Sequence, residues 1–276
     1  MEGTLNGCID MHVHTAPDTI PRKMSDLELA REASSRGMRA LLVKSHNFPT
    51  AASAYVASQA VPEIKVFGSI TLNYPVGGLN PAAVEASLKA GAKEVWMPTI
   101  SAKNHLASKG SSSASGLSVM DTNGTIKEEV KEILKLIAEQ DAILGTGHLS
   151  CLEIMAIVPA AKALGVQRII VTHPEFPLVN VSIEKQLELK KFGVFFERTY
   201  VSTTPSGGNV RIQSILAGIK SVGAECTVLS TDFGQPVNPS PVLGMEMYIE
   251  ELLGLRVSER ELELMVKVNP AQLLGI

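Results

Sequence analysis

The chain has 276 residues, 45% of them hydrophobic, with a formal net charge of −3 and a pI near 6.1. It can bury a large core, and no basic cluster recommends nucleic acid or an anionic membrane surface as a partner. No apolar run approaches the roughly 20 residues that span a bilayer, MEGTLNG lacks the features of a signal peptide, and Cys8, Cys151 and Cys226, without C-x-x-C spacing, suit a reducing cytoplasm.

In chain order, a strand is predicted near 8–14 (CIDMHVH), then others near 39–45, 65–72, 93–98, 142–148, 167–173, 193–198 and 226–231. Helices are predicted between and after them, near 25–36, 50–60, 80–90, 125–140, 151–164, 182–191, 209–221 and 241–253, with a helical extension through 258–274. The strand runs are short and rich in Val, Ile, Leu and Phe, as strands buried on both faces are. Gly37, Gly91, Gly165, Gly193 and Gly223 each stand where a helix must end before the next strand. Eight strands alternating with eight helices predict an α/β chain folded as a single-domain (β/α)8 TIM-type barrel over 1–276. The rival, a doubly wound open sheet, normally carries a glycine-rich phosphate turn after its first strand, and none is present.

Helix-to-strand links are tight, whereas strand-to-helix links are long: LNYPVGGLN, HPEFPLVN, TYVSTTPSGGN, DFGQPVNPSP and the 101–124 run SAKNHLASKGSSSASGLSVMDTNG. In such a barrel these loops gather at the mouth where active sites lie. The 101–124 run exceeds a simple connector, and its Ser/Gly content reads equally as a mobile lid or as plain surface disorder.

Polar residues mark the predicted strand ends: His12 and His14 on the first, Lys44, Ser45 and His46 on the second, His148 on the fifth, His173 on the sixth, Glu197 on the seventh and Asp232 on the eighth. Only His105, within the long loop, stands away from a strand end. Side chains alternate along a strand, so His12 and His14 point the same way and can enter one coordination sphere. Imidazole and carboxylate together suit a divalent transition metal such as Zn, with Mn, Fe or Ni also fitting.

The set resembles the amidohydrolase superfamily of metal-dependent (β/α)8 enzymes, and HVHTAPD, TGHLS and THPE resemble a small group of amidohydrolase-like proteins within it. The resemblance implies that His12, His14, His148, His173 and Asp232 are metal ligands around one or two ions. It departs from the binuclear pattern at the fourth strand, which ends VWMPT without the bridging lysine or glutamate. Lys44, His46 or Glu197 could take the place of that bridge. HVHT followed by KSHN also resembles the polymerase-and-histidinol-phosphatase family, although Lys44 stands where that family has an aspartate.

The resulting expectation is a cytoplasmic metal-dependent hydrolase of a small-molecule amide, cyclic amide or ester, with self-association left open. Asp232 ligates the ion or moves the proton of the attacking water. Whichever of His148 and His173 is not a ligand polarises the carbonyl. Glu175 and Glu197 are expected to fix imidazole tautomers, Glu197 having an interior ion pair with Lys44 as its alternative. Arg198 and Arg211 are candidates to meet a substrate carboxylate. A metal-dependent decarboxylase or lyase, a phosphoesterase and a non-catalytic metal binder are the alternatives.

Overall fold

The computed structural model describes residues 5–110 and 116–276. Its strands are β1 (Ile9–Val13), β2 (Ala40–Val43), β3 (Lys65–Phe67), β4 (Ser69–Thr71), β5 (Glu94–Trp96), β6 (Ile143–Gly145), β7 (Arg168–Thr172), β8 (Phe195–Thr199) and β9 (Thr227–Ser230). Helices α1 (Asp26–Ser35), α2 (Ala51–Ala60), α3 (Pro81–Lys89), α4 (Lys103–Ser108), α5 (Glu128–Glu139), α6 (Cys151–Ala163), α7 (Ile183–Lys190), α8 (Ile212–Val222) and α9 (Pro241–Gly254) alternate with them, and α10 (Glu259–Glu263) and α11 (Asn269–Leu274) follow. The five glycines expected past helix ends all have positive φ, from 65° to 98°.

Neighbouring strands pair in parallel, β1–β2–β3 in one sheet and β4 through β9 in sequence order in the other, which makes this an α/β fold. The third strand, expected as one run near 65–72, breaks at Gly68. A side chain at Gly68 would strike the backbone of Thr50 and Ala51. Thr50 wedges in there: its Oγ1 donates to Val43 O at 2.7 Å and accepts from Ser69 N at 2.8 Å. These bonds replace the ladder that β2 would otherwise share with β4. At the other seam, Asp232 N donates to His12 O and His14 N to Phe233 O, both at 2.8 Å. The buried Asp10 carboxyl reinforces that seam, accepting from Thr231 N at 3.1 Å and Thr231 Oγ1 at 2.6 Å.

Ile9, Met11, Ala40, Leu42, Trp96, Ile143, Ile170 and Val228 form one buried cluster between the strands, and Leu273 and Leu274 of α11 pack against it. The C-terminal extension thus covers the strands' N-terminal side and leaves the opposite side for chemistry. The helices bury their apolar stripes against the outer strand faces in two further clusters. No helix among the described residues is long and apolar enough to cross a membrane.

Of the 101–124 run, residues 111–115 lie outside the described residues. The flanking parts are folded: Lys103 N donates to Leu117 O at 2.7 Å, and Glu153 Oε1 accepts from Ser118 Oγ at 2.7 Å. Glu153 is itself fixed by a capping box with Ser150 at the start of α6. Helix α4 was not foreseen; Asn104 ties it down by donating to His148 O at 3.2 Å and Leu178 O at 2.7 Å.

Candidate functional site

The register of β1 against β2 shifts between Asp10 and Val13, so strict alternation is broken beside the H-x-H pair. Both imidazoles nevertheless reach one carboxylate oxygen. Asp232 Oδ1 lies 3.1 Å from His12 Nε2 and 3.0 Å from His14 Nε2. Among the described residues these three side chains form a group whose ligand atoms lie within 4.8 Å of one another. Asp232 has φ 54° and His173 has φ 30°, sparsely populated conformations for residues with a side chain. Such conformations persist where the surroundings enforce them, typically at functional sites.

Each member of the group has a defined environment. Glu197 Oε2 sits 3.1 Å from His12 Nδ1, with both side chains fully buried. A carboxylate there keeps hydrogen on Nδ1 and leaves Nε2 as the lone-pair nitrogen. Burial pushes the His12 imidazole down to about 3, with Asp232 opposing the shift and Lys44 and Arg22 adding to it. His14 is held well below its ordinary value by burial and by the charge of Arg22, whose Nη2 is 3.4 Å from His14 Nδ1. Both rings are therefore neutral near pH 7 and can offer a lone pair without first losing a proton. The donor set, two neutral imidazoles and a carboxylate, fits a divalent transition metal.

Lys44 is buried, with Nζ 3.0 Å from His12 Nε2 and 4.1 Å from the Trp96 ring centre. Burial lowers its ammonium pKa, while Asp232, Glu197 and Glu94 oppose that shift. The carboxyl of Glu197 is raised to about 8 by burial; Lys44 pulls against this, and Asp232 adds to it. Glu197 hydrogen-bonds His12 rather than pairing directly with Lys44. The end of β5 carries Trp96 and Met97, so it supplies no bridging carboxylate or lysine, and Glu94 lies two residues deeper, buried with both oxygens unpartnered.

Above the group opens a cavity of about 480 Å³, lined among others by His14, Lys44, His46, His148, His173 and Asp232. His148 and His173, expected as ligands, line the same cavity and stand outside the three-residue group. Their ring centres are 5.1 Å apart, and His173 Nδ1 is buried without a partner. Burial lowers both, His173 to about 3. His46 is held by Thr99, Nδ1 to Oγ1 at 2.8 Å, and packs 4.8 Å from the His14 ring.

Three expected site residues lie away from the cavity lining. Arg198 is fully buried and pairs with Glu175 and Gln186 beside α8, so it cannot meet a substrate, and Glu175 is spent on it rather than on an imidazole. Arg211 is exposed at the start of α8 and does not line the cavity. Conversely, His105, set apart in the sequence, joins the site: α4 brings its Nδ1 to 2.8 Å from His148 Nδ1. Arg22 was also missed; Asp18 anchors it at 2.7 Å, and the TAPD turn after H-x-H was its only signal. Trp96, 4.6 Å from the His12 ring, was hidden by its place in an apolar strand.

A model of the "Family of unknown function (DUF6282)" matches residues 7–197. No curated protein matches the sequence. Among solved structures, an amidohydrolase from Pseudomonas aeruginosa is similar, with TM-score 0.69 at 14% identity over 98% of this chain and 95% of that one. The organophosphorus hydrolase from Deinococcus radiodurans gives TM-score 0.62 at 14% identity, over 99% and 94% of the two chains. A metallo peptidase from Rhodobacter sphaeroides, solved with a phosphinate mimic of L-Ala-D-Ala, gives 0.57 at 12%, over 89% and 70%. At such identities the likeness establishes a shared fold, that of amidohydrolase-family proteins.

Proposed function

The chain belongs to the DUF6282 family, and we propose that it is a metal-dependent hydrolase of a small-molecule amide, cyclic amide or ester. The observation that carries this reading is the convergence of His12 Nε2, His14 Nε2 and Asp232 Oδ1 below a cavity open to solvent. The reading takes the two sheets as one closed (β/α)8 barrel in a single domain. In support, β3 and β4 are separated only by Gly68, and the residues just past β9, Asp232 and Phe233, share backbone hydrogen bonds with the end of β1 at His12 and His14.

A divalent ion held by these residues, zinc first among the candidates, supplies Lewis acidity and brings the pKa of a water toward about 7. The Asp232 side chain remains 14% exposed, so it can accept a proton from a water in the cavity while facing both imidazoles. It can return that proton to the leaving group as the bond breaks. Glu197 keeps the His12 ring oriented. His173 is placed in the cavity lining to donate N–H to a carbonyl oxygen as charge develops on it. The lack of a bridging residue at the end of β5 favours one ion, and one ion keeps decarboxylation as a second reading.

The test is an activity screen of metal-loaded protein against amides, lactones, phosphoesters and aromatic acids. On any substrate found, Asp232→Asn should lose about 10²–10⁴ in rate, as for a general acid–base. Near wild-type turnover by Asp232→Asn with its metal intact would refute the assignment.

A further inference from the structure

The cavity has a charge pattern that bond hydrolysis does not by itself require. Among the described residues its one acidic lining residue is Asp232, and that carboxyl faces the two imidazoles. Two lysines line it as well, Lys44 buried at the floor and Lys109 exposed at the rim. A bound dication would add to this excess of positive charge. The apolar part of the lining is Ile100, Phe176, Pro177, Leu178 and Val201, with Phe176 and Leu178 beside His148 and α4.

The His105–His148 contact contributes a donor by proton arithmetic. The two Nδ1 atoms are 2.8 Å apart, so one carries hydrogen and the other accepts it. A neutral imidazole has a single N–H. The ring that accepts at Nδ1 must therefore carry its hydrogen on Nε2. Whichever way the pair is arranged, it keeps one Nε2–H and one Nε2 lone pair, and both residues line the cavity. Asn104 holds α4 so that His105 and Lys109 come to the rim together.

We propose that the substrate is a small organic acid whose carboxylate binds at the rim, on Lys109 and the Nε2–H of the His105–His148 pair. Its apolar body lies along Phe176–Leu178, and its scissile bond reaches the floor. The inference rests on the hydrolytic reading of that floor. It explains why the α4 segment brings a lysine and a histidine to a cavity that already has four histidines in its lining. Charge-assisted hydrogen bonds to a carboxylate are shorter and stronger than neutral ones, so a neutral isostere should be disfavoured.

The test is calorimetric titration of the metal-loaded protein with isophthalate and with isophthalamide, which has the same ring and similar size but no charge. Isophthalate should bind about tenfold more tightly, the worth of one charge-assisted hydrogen bond. Lys109→Gln and His105→Phe should each remove most of that preference and leave isophthalamide binding within about twofold. Equal affinities for the two ligands would overturn the inference. So would a preference for isophthalate that neither substitution moves, because the carboxylate would then bind at the floor. Metal content measured on the same samples separates the two readings. Wild-type protein that takes up no metal defeats the hydrolytic reading. A metal-loaded protein without the acid preference defeats this inference alone.

Discussion

Replacing Glu197 by Gln preserves shape and removes the charge that orients His12. The contact is 3.1 Å between fully buried atoms, so water cannot substitute for the lost carboxylate. Losing such a partner of a ligand histidine typically costs about 10–100-fold in metal affinity, or about 1.4–2.7 kcal/mol. The pH dependence gives a sharper signature. Burial raises the Glu197 carboxyl to about 8, so at lower pH the metal-free site holds a proton there. A dication favours the ionised form, and binding expels that proton. Wild-type affinity should therefore rise with pH up to about 8 and level off above it, whereas Glu197→Gln lacks this rise. Zinc affinity, measured by competition against a chelating dye, should differ about 10–100-fold at pH 8 and by little at pH 6. Equal affinities at pH 8, or the same gap at both pH values, would refute the role assigned to Glu197.

Lys44→Met should raise zinc affinity about tenfold in the same assay, because the Lys44 ammonium contacts the His12 nitrogen that an ion would use; a fall in affinity would instead make Lys44 a ligand. Asp10→Asn should alter the pH dependence of stability. Burial raises the Asp10 carboxyl from 3.8 to about 7, so it folds in its protonated form. As pH rises between these values the unfolded chain ionises and the folded one does not. Wild-type stability thus falls relative to Asp10→Asn by about 1.4 kcal/mol per pH unit and holds steady above pH 7. Urea titrations of chelator-treated proteins at pH 5, 6 and 7 read this slope directly; parallel behaviour of the two proteins would contradict it.

What the sequence made legible follows from what periodicity encodes. Short apolar runs and helix-ending glycines mark where strands lie, and polar residues at the ends of those runs mark what faces the mouth. His12, His14 and Asp232 are found this way because each ends a strand, and β1 and β9 are neighbours. The bulge in β1 and the wedge of Thr50 at Gly68 were not legible, since both depend on contacts between segments remote in sequence. His105 was set aside because it ends no strand; only the packing of α4 against the loop after β6 brings it to His148. Arg198 misled for the opposite reason. It lies beside a strand end in sequence, but its side chain turns outward to Glu175, in space left by Gly218 of α8.

The central claim is that one divalent ion sits between His12, His14 and Asp232. Anomalous X-ray diffraction from crystals of zinc-loaded protein, collected on both sides of the zinc edge, tests this most directly. A peak is expected about 2.0–2.2 Å from His12 Nε2, His14 Nε2 and Asp232 Oδ1, absent in a His12→Ala, His14→Ala double variant. A peak elsewhere in the cavity with these three side chains unengaged, or a peak that survives in the double variant, would contradict it.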